Sequence, residues 1–437
     1  MAQQRVCMFV WNHFTNDARV LRECTALVEN GYEVDLICIH DWKQEKLLMQ
    51  EQHQGGFTVT RVKNRVILLQ KVFGLARRVK RIAFKNIITT SIFSLFMLLG
   101  MWKFQLITIG LILLMLVLSQ RKVATLFVRG AIFLRMIQAG LRHKYDIYHS
   151  NDLNTLPQGW ICAKLLRRKK LIYDSHEVQT SRTGYNSSIY GVMEKFFIRF
   201  CDVMIVENHT RAKYNEDLYG FYPKVIHNYP FLSHPEHSKT IDLHKTLNIS
   251  RDEPIFLYQG GIQIGRGLDK LIQAVPLFKK GVVVFIGDGR IKSELQQMVQ
   301  EMNLENRVKF LPKVPVQELI YYTKNAYLGF QLLNNICFNH YSASSNKLFE
   351  YMMSGVPVIA CSFPEIQGIV EKENTGVCVD SHDPTSIANG VNYLLDYPEK
   401  REEMRVNAFN ARYIYNWELE KKLLIQIYKE ILDKSVK

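Results

Sequence analysis

Short apolar runs and amphipathic stretches alternate along most of the chain. Val6–Trp11 is the first run. A polar loop follows, then a helical pattern to Glu29 that stops at Asn30-Gly31, and a second strand at Glu33–Ile39. From residue 146 the alternation resumes. Strands Asp146–His149, Lys170–Asp174, Val203–Val206 and Lys224–Ile226 are separated by helices Leu156–Arg167, Ile189–Phe200 and His209–Leu218. Strands spaced by helices in this way predict a parallel sheet covered on both faces. The polar, proline-bearing stretch Tyr229–His244 reads as a linker.

Beyond the linker the pattern restarts. Strands Pro254–Tyr258, Val282–Ile286, Val308–Phe310, Ala326–Phe330 and Val356–Ala360 alternate with helices Leu268–Phe278, Ile291–Met302, Val316–Thr323 and Ser344–Met353. Trp417–Leu432 is a final amphipathic helix. The expected class is α/β: two doubly wound Rossmann-like domains, residues 1–235 and 245–415, facing across a cleft, with 416–437 packing back on the first. In such sheets ligands bind beyond the carboxyl ends of the strands.

One stretch, residues 61–144, breaks the alternation. The 437 residues carry 56 Lys and Arg against 41 Asp and Glu. Between Gln52 and Tyr145 there are sixteen basic residues and no acid, so the rest of the chain balances at 40 against 41. The excess sits in one insertion, which argues against a domain-wide nucleic-acid face. Within it Ile87–Leu118 carries a single charge, Lys103. A span needs about 20 apolar residues, so this segment is too long for one and too short for two. It predicts a re-entrant hydrophobic hairpin at about 87–118, and its basic flanks place both ends at the cytoplasmic face. Val72, Leu75, Ala76, Val79, Ile82 and Ala83 follow helical spacing among basic residues, as an in-plane helix on an anionic membrane surface would. A helical hairpin buried in a soluble domain is the alternative. The eight cysteines form no C-x-x-C pair, which excludes a paired-cysteine zinc site and argues against a disulfide framework.

The loops after the strands carry the candidate chemistry. Asn12, Asn16 and Asp17 follow the first strand, Asn151 and Asp152 the third, and His176 and Glu177 the fourth. Each can cap a helix or a turn. Together on one sheet edge they suit a polar acceptor site, with His176 and Glu177 the pair for proton or hydrogen-bond work. In the second half, Gly260 and Gly261 open a glycine-rich loop, and Gly287-Asp288-Gly289 follows the next strand. Glycines there let backbone N–H groups approach an anion. Neither loop has Walker A or G-x-G-x-x-G spacing. Ser344, Ser345 and Asn346 can cap the helix that follows. Lys347 stands in its first turn, where the helix dipole disfavours a cation but a bound diphosphate would not. Glu350 shares a face with Lys347 and suits ribose hydroxyls, although an exposed ion pair is the simpler alternative.

Ser345-Asn346-Lys347-Leu348-Phe349-Glu350-Tyr351-Met352, Gly355-Val356-Pro357-Val358-Ile359 and Phe363-Pro364-Glu365-Ile366 resemble the donor-site signature of retaining glycosyltransferases of family 4, which have the GT-B fold. Asn16-Asp17-Ala18-Arg19-Val20, Tyr173-Asp174-Ser175-His176-Glu177, Gly376-Val377-Cys378-Val379 and Asp383-Pro384 fall in the family's order; residues 61–144 have no counterpart. The resemblance implies sugar transfer from a nucleotide-sugar donor, UDP-sugar favoured, with retention and with neither cofactor nor metal. Glu350 matches the carboxylate that holds the ribose, and Arg266 the basic residue that meets the diphosphate. Gly287 and Gly289 match the turn beside the base, and His176 a histidine near the transferred sugar. With the hairpin, the implied acceptor is a lipid-linked glycan in surface polysaccharide or glycolipid assembly. Two positions depart from the family. Ser342 stands where many members have a second glutamate, and Gly261 where an arginine often follows Tyr-x-Gly. Lys347 is the candidate to replace that charge. No Asp-x-Asp occurs, so stabilisation of the leaving group falls to Arg266, Lys347 and helix termini. A catalytically silent membrane scaffold and a sugar-nucleotide epimerase are the alternative readings.

Overall fold

The computed structural model describes residues 3–15, 17–42, 44, 47–181, 188–232, 241–315 and 318–433. It forms two compact units, Met1–Tyr173 with Phe200–Asp202 and Asp174–Arg199 with Val203–Lys437.

The first unit contains β1 (Arg5–Phe9), α1 (Ala18–Glu29), β2 (Glu33–Ile39), β3 (Gln50–Gln52) and β4 (Thr58–Val62). Four helices follow: α2 (Ile67–Ala83), α3 (Ile87–Lys103), α4 (Gln105–Ser119) and α5 (Arg121–Gly140). Then come β5 (Ile147–Asn151), α6 (Leu156–Trp160), which widens into a π-helix over Ile161–Arg167, and β6 (Lys170–Ser175). The strand order is β3-β4-β2-β1-β5-β6. β4, β2, β1 and β5 run parallel, and β3 is antiparallel to β4. Val6, Cys7, Met8 and Phe9 are all buried, as a strand covered on both faces requires.

β3 and β4 escape the hydropathy pattern because they are short and mostly polar. Arg61 and Val62, which the charge count assigns to the insertion, lie in β4 opposite Cys38 and Ile39. Arg61 is only 3% exposed and is ion-paired with Glu51 at 2.8 Å. At the other end of the insertion, α5 buries Ile132, Met136, Ala139 and Gly140.

The expected hairpin is two helices, α3 and α4, broken at Phe104. α4 buries only Thr108 and Ser119, while Ile87, Trp102 and Leu106 are more than four-fifths exposed. These side chains are not covered by the rest of the unit. On α2, Val72, Leu75, Val79 and Ile82 face outward, whereas Ala76 and Ala83 are buried with Phe73. α2 and α3 meet at a bend of 112°, and α5 is the one described helix long and apolar enough to cross a membrane.

The second unit starts with α7 (Ser188–Ile198), β7 (Val203–Val206), α8 (His209–Tyr219) and β8 (Lys224–Val225). It continues through α9 (Leu243–Leu247), β9 (Ile255–Gln259), α10 (Leu268–Ala274), β10 (Val282–Ile286), α11 (Lys292–Glu301), β11 (Val308–Leu311), α12 (Leu319–Thr323) and β12 (Leu328–Gln331). Then follow α13 (Phe338–Tyr341), α14 (Asn346–Met353), β13 (Val358–Cys361), α15 (Pro364–Lys372), β14 (Gly376–Val379), α16 (Pro384–Asp396), α17 (Pro398–Ala411) and α18 (Trp417–Asp433). Its six-stranded sheet, β11-β10-β9-β12-β13-β14, is parallel throughout. Alternate residues of β9 feed opposite cores. Phe256 and Tyr258 join one with Phe285 and Phe330; Ile255 and Leu257 join the other with Leu348 and Tyr351.

Contacts divide the chain at 173/174, ahead of the linker expected near 235. Tyr229, expected within that linker, is buried: its ring stacks on His227 and meets Phe349 edge-on at 4.6 Å. Residues 233–240 lie outside the described residues. Glu420 of α18 accepts hydrogen bonds from the His227 backbone N–H and imidazole, each at 3.0 Å. The helix thereby docks on the segment just after β8.

Candidate functional site

Two loops at the carboxyl ends of β9 and β10 are pressed together. The Gly260 N–H donates to Ile286 O at 2.9 Å, and the Ile262 N–H to Asp288 O at 3.0 Å. Gly287 has φ +157°, and a Cβ there would lie 1.9 Å from the Gly260 carbonyl oxygen. Gly260 has φ +122°, and a Cβ on it would come within 2.7 Å of Lys347 Cε. The two glycines are therefore what allows the loops, and the lysine, to approach so closely.

Lys347 reaches this point from the first turn of α14. Ser345 is the N-cap, but its side chain makes no capping bond, and the helix begins at Asn346, later than its sequence suggests. The Lys347 ammonium is 5.5 Å from the centre of the Tyr258 ring. Burial, and then the positive charge of Arg266, push its pKa down to about 7, with Glu350 opposing. Glu350 is positioned by Gln259, whose Nε2 donates to it at 2.8 Å. Gln259 is itself fully buried and accepts from the Thr323 hydroxyl at 2.7 Å. These groups border a cavity of about 300 Å³ lined by Gly260, Gly261, Gly287, Lys313, Lys347 and Glu350, among others. A half-buried cation, a carboxylate and glycine backbone around one hollow can hold an anion beside a polyhydroxyl group.

Asn346 also lines this hollow, whereas Arg266, Gly289, Ser344, Ser345 and Leu348 do not. Arg266 does not line it, although its charge lowers the pKa of both Lys347 and His340. Leu348 is fully buried in the core, and its N–H is already given to Ser345 O at 3.0 Å. The Ser344 hydroxyl accepts from Asn208 at 3.1 Å instead of capping α14. The Gly289 N–H donates to the Asp288 side chain at 2.8 Å.

His176 Nε2 lies 3.2 Å from Asp174 Oδ2, and Asp174 is fully buried. The carboxylate holds the ring in place. The Glu177 carbonyl accepts from Ser175 and Gln179, at 3.1 and 3.2 Å. Beneath this loop lies Arg211, which donates to His176 O at 2.5 Å and to Ser342 Oγ at 3.2 Å, and pairs with Glu207. Ser342 is thus a buried acceptor, not a carboxylate facing the hollow.

The first unit's polar loop residues make local bonds. Asn12 donates to Asp17 at 2.7 Å and accepts from the Phe14 N–H, and Asp17 caps α1 by accepting from the Val20 N–H at 3.1 Å. Asn151 is buried and donates to Phe9 O at 2.9 Å, and Asp152 sits in a turn at φ +62°. Asn12, Asp17 and Asn151 thus take part in local capping and bracing. Asn16 lies outside the described residues.

Part of the chain is similar to a known family. Residues 239–411 match the family described as Glycosyl transferases group 1. A D-inositol 3-phosphate glycosyltransferase of Thermomonospora curvata is 26% identical over 197 residues, which cover 42% of this chain and 44% of that relative. The chain's match thus spans less than half of that relative. Among solved structures, a sucrose-phosphate synthase from Thermosynechococcus elongatus superposes with a TM-score of 0.73 at 16% identity, covering 99% of this chain and all of that one. Anabaena HepE in complex with UDP-glucose gives 0.68 at 15% identity, over 98% and 100%. At these identities the likeness shows the fold alone, an α/β chain with two Rossmann-like sheets, as the sequence predicts.

Three residues of the second unit gain a role only from the structure. Gln259 ends a strand as any polar residue might, and Lys313 follows β11 without a motif. Arg211 lies within a short polar helix, where nothing in the sequence marks a buried guanidinium.

Proposed function

We propose that this protein is a retaining glycosyltransferase that moves a sugar from a nucleotide-sugar donor, a UDP-sugar by preference, to a lipid-linked acceptor at the cytoplasmic face of a membrane. The observation that carries the donor half is Lys347. Its pKa is depressed to about 7 at a hollow bordered by Gly260, Gly287 and the Gln259-held Glu350. Such a lysine is stabilised when an anionic diphosphate arrives. The complex of Anabaena HepE with UDP-glucose supports the choice of nucleotide.

In this reading Glu350 accepts from the ribose hydroxyls, and Lys347 and Arg266 meet the diphosphate without metal or cofactor. The bond between the anomeric carbon and the diphosphate oxygen breaks as the acceptor hydroxyl oxygen bonds to the same face of that carbon. The acceptor proton passes to the departing diphosphate. His176, held by Asp174, hydrogen-bonds the transferred sugar. The exposed apolar side chains of α3 and α4 and the acid-free basic segment around them support attachment to an anionic membrane, and so a place in surface polysaccharide or glycolipid assembly.

Thermal stability of the detergent-solubilised protein with UDP, GDP, ADP and their sugars tests this. A ligand at a hundred times its Kd adds about 2.7 kcal/mol. Stabilisation by UDP that is lost in Glu350→Ala is expected. No response to any nucleotide from folded protein would defeat the donor assignment and return the choice to a silent scaffold.

A further inference from the structure

A second cavity, about 280 Å³, lies in the first unit between β4 and the last turns of α5. Four of its lining residues are basic: Arg61, Lys63, Arg135 and Arg142. Arg61 is 3% exposed; it donates to Leu48 O at 2.9 Å and to Glu51 at 2.8 Å, while its buried Nε has no partner. Arg135 Nη1 donates to the carbonyls of Lys63 and Arg65 at 2.5 and 2.9 Å, which pins the chain leaving β4 against α5. Lys63 and Arg142 form no ion pair among the described residues. Four cations face one carboxylate around a hollow, and one buried donor is unused. That arrangement lacks an anion.

The surface leading to the cavity narrows the choice of anion. On α5, Phe127 and Leu134 are seven residues apart and at least half exposed; Gln138 follows four residues on, and Arg142 stands four further, two residues past the helix end. These positions pass from apolar to basic along the chain, the order in which an acyl chain and a phosphate would lie. A free phosphate would use only the basic end.

We propose that this cavity binds the phosphate of an anionic phospholipid whose acyl chain lies along Phe127 and Leu134. The proposal rests on the reading that α2–α5 meet a membrane. The site would fix the depth and orientation of the first unit at the bilayer, a task diffuse charge performs poorly.

The test is calorimetric titration of the full-length, detergent-solubilised protein with dihexanoyl phosphatidic acid and, separately, with inorganic phosphate. Lys63→Gln/Arg142→Gln removes two lining charges that make no protein bond through their side chains. Arg78→Gln/Arg81→Gln removes two exposed charges elsewhere on α2. Saturable lipid binding is expected, at least about tenfold weaker in the first pair and unchanged in the second. Equal weakening in both pairs overturns the site in favour of diffuse attraction. Inorganic phosphate binding as tightly as the lipid overturns the lipid assignment. Flotation of the wild-type protein with phosphatidylglycerol vesicles is the separate check on membrane attachment: no flotation sinks that reading, whereas flotation without saturable phosphatidic acid binding sinks the site alone.

Discussion

Gln259 and Glu350 are joined by a 2.8 Å hydrogen bond across 91 residues of sequence. One residue ends the strand β9; the other sits a turn into α14. The bond turns a helix carboxylate towards the hollow, and the Thr323 hydroxyl holds the amide from behind. A hydrogen bond to a charged group is worth about 1.5–3 kcal/mol, so Gln259→Leu should weaken UDP binding roughly ten- to a hundredfold while the protein stays folded. Calorimetry with UDP measures it, and unchanged affinity would mean that Glu350 needs no such support.

Lys347 ties nucleotide binding to pH. Its folded-state pKa of about 7 lies below the ordinary 10.5, so between those values the unfolded chain binds more protons than the folded one. Stability therefore rises with pH across that window, and the cost of the buried charge is fully present below it. Ligand-free Lys347→Met should melt a few degrees above wild type at pH 6, and the gap should close towards pH 10. Binding of UDP restores the charge. At pH 8 it should draw up to about one proton per site, seen as a calorimetric enthalpy that depends on the buffer's ionisation heat and loses that dependence in Lys347→Met.

The crossing of the two glycine loops predicts a sharp intolerance. A Cβ at Gly287 would sit 1.9 Å from the Gly260 carbonyl oxygen, so Gly287→Ala must push the loops apart. We expect a loss of about 1–3 kcal/mol in urea unfolding, together with lost stabilisation by UDP. Gly368→Ala, with open space around its Cβ on α15, should cost almost nothing.

Membrane attachment should depend on two physically distinct parts. Deleting Lys85–Lys122 removes the exposed apolar helices and should abolish flotation with anionic vesicles at every ionic strength. Replacing Arg77, Arg78, Lys80 and Arg81 by Gln should weaken flotation chiefly at low salt, since screening already removes much of their contribution at about 0.15 M. A deletion variant that stayed folded and still extended native lipid acceptor at full rate would overturn the membrane-acceptor reading.

Much of the architecture is legible in the sequence because parallel strands covered on both faces must be continuous apolar runs. Val6–Phe9, Ile255–Tyr258 and Val282–Ile286 declare themselves in that way. β3 and β4 do not: Gln50–Gln52 and Thr58–Val62 are short and polar, and β4 hides an arginine whose charge is met by Glu51. The same mechanism concealed Arg211 and Ser342, which bond each other across 131 residues of sequence. Tyr229 was misplaced for the opposite reason. Its proline-bearing neighbourhood looks like a linker, yet its ring fills a core built from Phe349 and Tyr415.

The order of strands and helices, the unbalanced charge of residues 53–144 and the anomalous lysine at the start of α14 were properties of the sequence alone, since each depends on residues near one another along the chain. Which polar residues face a ligand was not. Asn12, Asp17 and Asn151 have the same chemistry as any acceptor-site residue, and only the fold reveals that a neighbouring backbone group already uses it. Tertiary structure decides such questions because a hydrogen bond or a desolvated charge is set by what comes within about 3 Å in space, and sequence separation does not limit that distance.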